Sequence, residues 1–251
     1  GGRSKGGDFT YNLSGNFMYA KNKVIYMDET PQPEGYEYLY LTGHPMGSSL
    51  YYQCIGINRT EEDLKNYPQM AGSGLGDYIY KDIDENGKID AKDMLRSDLN
   101  TIPQIVFGLT ANFQYKNFDL SILFQGQALA RLHYTPLQAP LEGNITKEMA
   151  TQSWNLDRPD AKYGRINSTN NRKESTMWLR NASFLRLKNV ELGYNFSGKA
   201  LKTVGVKGLR LYIGGYNLFT ISGLKEVDPE TNNTAAYPLM RVFNTGVKVT
   251  F

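Results

Sequence analysis

The last eleven residues, Arg241 to Phe251, alternate strictly, with Phe243, Thr245, Val247, Val249 and Phe251 on one side and Asn244, Gly246, Lys248 and Thr250 on the other. Successive side chains of a strand point to opposite faces, so the pattern predicts a strand with one apolar and one polar face. Six further segments repeat it. From Asp8 to Ala20, Phe9, Tyr11, Leu13, Phe17 and Tyr19 oppose Thr10, Asn12, Ser14 and Asn16. From Ile105 to Tyr115, Ile105, Phe107, Leu109, Ala111, Phe113 and Tyr115 oppose Gly108, Thr110, Asn112 and Gln114. Past Lys116 and Asn117, Phe118, Leu120, Ile122, Phe124 and Ala128 oppose Asp119, Ser121, Gln125 and Gln127, which predicts a hairpin. A strand from about Ala182 to Phe196 sets Val190, Leu192, Tyr194 and Phe196 against Asn189, Glu191, Gly193 and Asn195; another runs from Leu209 to about Ser222, and a weaker one from Ser48 to Ile57.

The connections between these strands alternate in length: 59–101 long, 116–117 short, 132–181 long, 197–207 short, 223–240 long. Short turns at one end and long loops at the other are the arrangement of an outer-membrane β-barrel, the short ones periplasmic. One stretch resists the scheme: Lys21 to Gly47 stands where a short turn is due, yet it is long and rich in Tyr, Pro and Gly. Seven strands leave two edges open, and in lipid each unpaired backbone group costs several kcal/mol, so the expected architecture is part of a larger barrel.

Composition narrows the choice. No run of about 18 apolar residues is present, which excludes a helical membrane protein. Low mean hydropathy is compatible with a barrel, because only every second strand residue meets lipid, and 18 Tyr with 11 Phe suit an aromatic girdle. The same alternation also fits a half-buried strand of a soluble sandwich. A net charge of +3, with Lys and Arg dispersed, sets nucleic acid aside. Cys54 is the single cysteine, and His44 and His133 are far apart in sequence. An outer-membrane hydrolase would need a nucleophile beside a base, and neither histidine lies in such a motif; no catalytic residue is named and the chain is not expected to be an enzyme. Gly1 to Gly7 carry no apolar signal-peptide core, so the start is expected to be an interior cut.

Residues 82–93, Asp-Ile-Asp-Glu-Asn-Gly-Lys-Ile-Asp-Ala-Lys-Asp, have the spacing of an EF-hand-type calcium loop. Asp82, Asp84 and Asn86 occupy the first three ligand positions, Gly87 the sharp turn, Lys88 the carbonyl position and Ile89 the apolar anchor; Asp90 and Asp93 complete the ring. Calcium takes six to eight oxygens, and alternate residues of a wrapping loop converge on one point. Asp93 stands where Glu is usual and no helical pattern flanks the loop; a structural Ca2+ of weak, extracellular-range affinity is expected, stiffening an external loop, with a solvated acidic turn as the alternative.

Taken together these runs resemble the SusC/RagA-like TonB-dependent outer-membrane transporters. The matching segments, in order, are Asn22–Asp28, Gly43–Gly47, Gly76–Asp93, Tyr115–Gly126, Trp154–Arg165, Ser183–Tyr194, Tyr216–Thr220, Asp228–Glu230 and Tyr237–Phe251. The resemblance implies an all-β fold, a 22-stranded transmembrane antiparallel barrel with long extracellular loops, of which residues 1–251 would be the C-terminal portion with about seven strands. The plug domain, the TonB box and the early strands would lie outside the chain. It further implies a bacterial outer-membrane location, energy from the TonB complex through the missing N-terminal part, an oligosaccharide or peptide substrate, and a SusD-like surface lipoprotein that lids the barrel and faces loops 59–101, 132–181 and 223–240. Tyr51, Tyr52, Trp154 and Trp178 are weak candidates for substrate contact, girdle or loop packing being the commoner role of such residues. The alternative is a soluble calcium-binding β-module of carbohydrate-binding type, which calls for polar outward faces on the strands.

Overall fold

The computed structural model describes residues 1–3, 7–134, 145–196, 198, 201, 203, 205–225, 227–231 and 237–251. Its elements in chain order are β1 (Gly2–Arg3), β2 (Phe9–Tyr19), β3 (Ser49–Tyr52), β4 (Cys54–Ile57), α1 (Glu61–Asn66), β5 (Tyr78–Tyr80), β6 (Met94–Ser97), β7 (Ile105–Tyr115), β8 (Phe118–Ala128), β9 (Arg131–His133), α2 (Lys147–Gln152), β10 (Leu179–Asn181), β11 (Phe184–Phe196), β12 (Gly208–Ser222) and β13 (Val242–Thr250). They divide into two compact units, one of residues 1–20, 102–130 and 181–251, the other of residues 21–101 and 131–180. Among the described residues no helix is long and apolar enough to cross a membrane.

The first unit is a seven-stranded antiparallel sheet in the order β1-β2-β7-β8-β11-β12-β13. Its register joins the apolar sets read from the sequence into continuous rows. Tyr11 sits opposite Phe113, and Phe113 opposite Leu120. Leu120 in turn faces Leu192, Leu192 faces Ile213, and Ile213 faces Thr245. Because partners across a strand pair share a face, one side of the sheet is apolar and the other carries Asn12, Asn112, Ser121, Glu191, Arg210 and Lys248. Of the large exposed apolar side chains in these strands, all but Met18, Tyr216 and Val242 lie on the apolar side. An apolar face this wide and exposed is not that of a soluble sheet, whose outward set is polar.

The alternation has one interruption. Counting in twos back from Val190 would place Lys188 and Arg186 on the apolar face. The ladders to β8 and to β12 both shift between Leu187 and Asn189, so that Leu187 and Leu185 continue the apolar row and Lys188 is the extra residue of a bulge. The opposite strand answers with Asn217 and Leu218, Asn217 at φ +52°. A bulge reverses strand parity, and here it turns Arg186 to the polar side.

The second unit is built from the two long connections, 21–101 between β2 and β7 and 131–180 between β8 and β11. It holds three two-stranded sheets, β3 with β6, β4 with β5, and β9 with β10, around a core of Tyr52, Tyr78, Tyr80, Ile89, Met149, Tyr163 and Trp178. Trp178 stacks on Tyr163 at 6.2 Å between centroids and receives Tyr78 edge-on at 5.9 Å. Fully buried Asn171 knits the two connections: its Oδ1 accepts the Tyr78 N–H at 2.7 Å and its Nδ2 donates to the Gly76 and Arg165 carbonyls, both at 3.0 Å.

This corrects the sequence reading at Ser48 to Ile57. The segment breaks at Gln53 into β3 and β4, which pair with β6 and β5 and take no part in the seven-stranded sheet; β1 supplies the seventh strand. Adjacent Tyr51 and Tyr52 are both buried, which a strand with one lipid face and one wet face does not allow. The correction also removes the difficulty at Lys21 to Gly47. With no wall strand at 48–57, residues 21–101 are one long connection, and the alternation of short and long links is unbroken.

Candidate functional site: the acidic loop and the polar face

The acidic loop lies in the second unit, between β5 and β6. Glu85 and Gly87 take positive φ, +57° and +78°, and the Gly87 N–H donates to Asp82 Oδ2 at 2.8 Å, folding the chain back on itself. Carboxylate oxygens of Asp82, Asp84 and Asp93 come within 4.8 Å of one another. Asp93 is fully buried, its two oxygens accepting the Ile83 and Asp90 N–H groups at 2.7 and 2.8 Å. Ile89 anchors the loop in the core, as its position in the motif predicts.

Not every residue of the expected ring points inward. Asn86 Oδ1 accepts the Lys88 N–H at 2.8 Å, and Asp90 Oδ1 accepts the Lys92 N–H at 2.7 Å as the cap of a single 3-10 turn, Ala91–Asp93. Asn86, Lys88 and Asp90 are exposed. The donor set gathered by the fold is thus Asp82, Asp84 and Asp93, all hard oxygens. Asp82 Oδ1 is buried without a hydrogen-bond partner, an atom whose desolvation a divalent cation would offset. Calcium fits these residues.

The loop is tied to residues 36–38. The Tyr36 hydroxyl donates to Asp84 Oδ2 at 2.7 Å, the Tyr38 hydroxyl donates to the Lys92 carbonyl at 2.6 Å, and the Lys92 ammonium lies 4.5 Å over the Tyr36 ring. The Tyr36 hydrogen bond holds the Asp84 carboxyl below its ordinary value, and the same bond raises the Tyr36 phenol. For a depressed carboxyl, this tie is present above the ordinary carboxylate range and is lost as pH falls through the lowered value.

The polar face of the large sheet carries two charged groups. Arg210 on β12 reaches across Gly193 to the Asp119 carboxylate on β8 and donates to Glu191 on β11 at 2.8 Å. Asn195 adds a 2.6 Å bond to Asp119. A Cβ at position 193 would collide with the guanidinium, so glycine there is what lets one side chain span three strands. The second group, around Arg186, lies on the same face.

Of the aromatic residues weighed for substrate contact, Trp178 is 1% exposed and Tyr51 and Tyr52 are buried, so these three belong to the core. Trp154 is partly exposed, its ring packed against Gly76. Cys54 is a free thiol, and burial pushes its pKa up to about 11. Since the thiolate is the nucleophile, Cys54 in the folded protein is expected to resist iodoacetamide at pH 8 and to react promptly after unfolding in urea, as read by intact mass. Equal rates in the two states would show the thiol to be accessible.

No family model matches the chain. TonB-dependent receptor P3 of Formosa agariphila is 27% identical over an alignment 279 positions long, covering 97% of this chain and 27% of that protein. The TonB-dependent receptor SusC of Bacteroides thetaiotaomicron is 27% identical over an alignment 265 positions long, covering 97% of this chain and 25% of that receptor. The chain is homologous to the SusC-like TonB-dependent receptors. It spans about a quarter of the length of the receptors it matches. Among solved structures, the RagAB peptide transporter superposes with a TM-score of 0.75 at 19% identity, over 99% of this chain and 28% of that one. That likeness carries the fold: the sheet is a run of antiparallel strands from a transmembrane barrel wall. In a SusC-like wall, the apolar rows face lipid and the face bearing Arg186 and Arg210 looks into the lumen.

Proposed function

We propose that this chain forms wall and outer loops of a TonB-dependent importer in the bacterial outer membrane, one that takes up oligosaccharides or peptides with a SusD-like lipoprotein as its lid. What supports this most is the two-faced sheet, apolar rows outside and Asn, Ser, Gln and paired charges inside, in a chain homologous along 97% of its length to TonB-dependent receptors. The TonB contact and the plug belong to the part of such a receptor that lies beyond this chain. Its residues act by shape and hydrogen bonding, and the named relatives are receptors and transporters. Energised uptake is the test. Cells carrying the full-length receptor should accumulate labelled oligomers of glycan or peptide, and deleting the receptor gene or dissipating the proton-motive force should abolish it. Uptake unaffected by both manipulations would overturn the reading.

The acidic loop is assigned a structural Ca2+ held by Asp82, Asp84 and Asp93, with Asn86, the Lys88 carbonyl and Asp90 available to complete the ring. The ion would supply positive charge that lets three carboxylates converge, stiffening residues 82–93 and, through Tyr36, residues 36–38. Calorimetric titration of the intact receptor should show binding at roughly 0.1–1 mM, the range of extracellular modules. Asp82→Ala should abolish it. Heat of binding that survives Asp82→Ala would place the ion elsewhere.

A further inference from the structure

Arg186 is 2% exposed, and a buried guanidinium is tolerated only where its donors find oxygens. Two parts of the chain, β12 and the connection that follows it, supply them. The β11 bulge turns Arg186 to the lumenal face. Its Nε donates to Thr220 Oγ1 on β12 at 2.9 Å. Its two terminal nitrogens reach the connection between β12 and β13, one donating to both Asp228 oxygens at 2.8 and 2.9 Å, the other to Glu230. The bulge residue itself, Lys188, donates to both Glu230 oxygens at 3.1 Å. Two cations meet two carboxylates, and the cluster is neutral.

The same bonds fold the connection over the wall. Asp228 also accepts the N–H groups of Glu230 at 2.9 Å and Leu239 at 3.3 Å, tying both limbs of the connection to one carboxylate. Pro229 is buried, and its carbonyl accepts from Gln127 on β8 at 3.3 Å. At the far limb, Asn217, the left-handed residue of the β12 bulge, donates to the Met240 carbonyl at 3.1 Å. Residues 227–231 therefore form a strap across β8 and β11, fastened by Gln127 of β8 and by Arg186 and Lys188 of β11, while Thr220 of β12 holds Arg186 in place.

We infer that Arg186 is a positioning residue of the import route, holding residues 227–231 across the lumenal face so that the passage is lined there by the strap and not by bare strands. The inference rests on the import reading above for its purpose, but the strap itself can be tested apart from it. The full-length receptor in detergent is compared by hydrogen exchange with its Arg186→Met, Arg186→Lys and Glu230→Gln variants. Losing the guanidinium leaves Asp228 without its cation and Glu230 with Lys188 alone, so in Arg186→Met the amides of Glu230, Thr231 and Leu239 should exchange at least about tenfold faster, while those of Leu209–Ile213 in β12 stay unchanged. Lysine, a point donor, should restore only part of the protection. If Arg186→Met fails to insert into the membrane, Glu230→Gln carries the same comparison with a smaller rise. In uptake assays the half-saturating concentration should increase in Arg186→Met with the maximal rate preserved, because the strap shapes the route and does not drive transport.

Unchanged exchange of the strap amides would overturn the inference, and so would a released strap with unchanged uptake. Should the wild-type receptor take up none of the oligomers offered, the import reading fails, and the exchange comparison still decides whether Arg186 holds the strap.

Discussion

Val247→Arg is expected to destabilise the receptor by roughly 2–4 kcal/mol, the cost of a cation on the lipid face near mid-depth of a barrel wall. Val247 lies near the middle of β13, opposite Leu211, and its side chain is 61% exposed on the apolar face. In lipid that exposure is contact with acyl chains, and a guanidinium there must be dehydrated or drag water inward. Its sequence neighbour Lys248 points the other way, opposite Arg210 on the lumenal face, where water is available. Lys248→Ala should change stability by no more than about 0.5 kcal/mol. Reversible urea unfolding of the full-length receptor in lipid vesicles reads both. The pair is informative because one step along the chain changes solvent and little else: a large loss at Lys248 with none at Val247 would mean that the faces have been assigned the wrong way round.

In Trp178→Ala, the second unit should lose about 3–5 kcal/mol, the usual cost of deleting a buried large aromatic. Trp178 fills the centre of that core between Tyr163 and Tyr78, and its Nε1 donates to the Asn171 carbonyl at 3.0 Å. Asn171 is in turn one of the residues that join the two connections, so the vacancy and the orphaned carbonyl fall at the same point. Trp178→Phe keeps a ring for Tyr163 to stack on and loses only the N–H; its cost should be about 1–3 kcal/mol. Exchange of the Tyr78 to Tyr80 amides in the full-length receptor measures both variants, with the amides of β7 and β8 as internal reference. Protection at Tyr78 that survives Trp178→Ala would show that the aromatic stack fills space without holding the unit together.

The wall was legible in the sequence because membrane strands repeat one rule. Phe9 to Tyr19, Ile105 to Tyr115 and Val242 to Thr250 follow a period of two and pair without a register shift, and the structure places each within a residue or two of the expected ends. The bulge at Lys188 was not legible. Val190 and Leu187 are both good wall residues, and only the ladder shows that the count changes between them. Ser48 to Ile57 misled for a related reason: Tyr51 and Tyr52 look like girdle residues until a partner strand is known, and that partner, β6, lies about forty residues further along. The acidic loop was readable as a spacing, but which oxygens converge depends on backbone N–H groups competing for them. Asn86 and Asp90 spend their Oδ1 atoms on Lys88 and Lys92, and nothing in the motif distinguishes them from Asp82.

The second unit is assembled from two connections, each of which leaves the wall at one strand and returns at the neighbouring one, β2 to β7 and β8 to β11. The β2–β7 and β8–β11 ladders are made between strand residues, with no partner drawn from either connection. Neither could be exchanged alone, because Gly76 and Tyr78 from the first are bonded to Asn171 from the second. Hybrid receptors spliced at both places at once should keep the second unit intact, whereas those spliced at one place should inherit two halves that do not recognise each other.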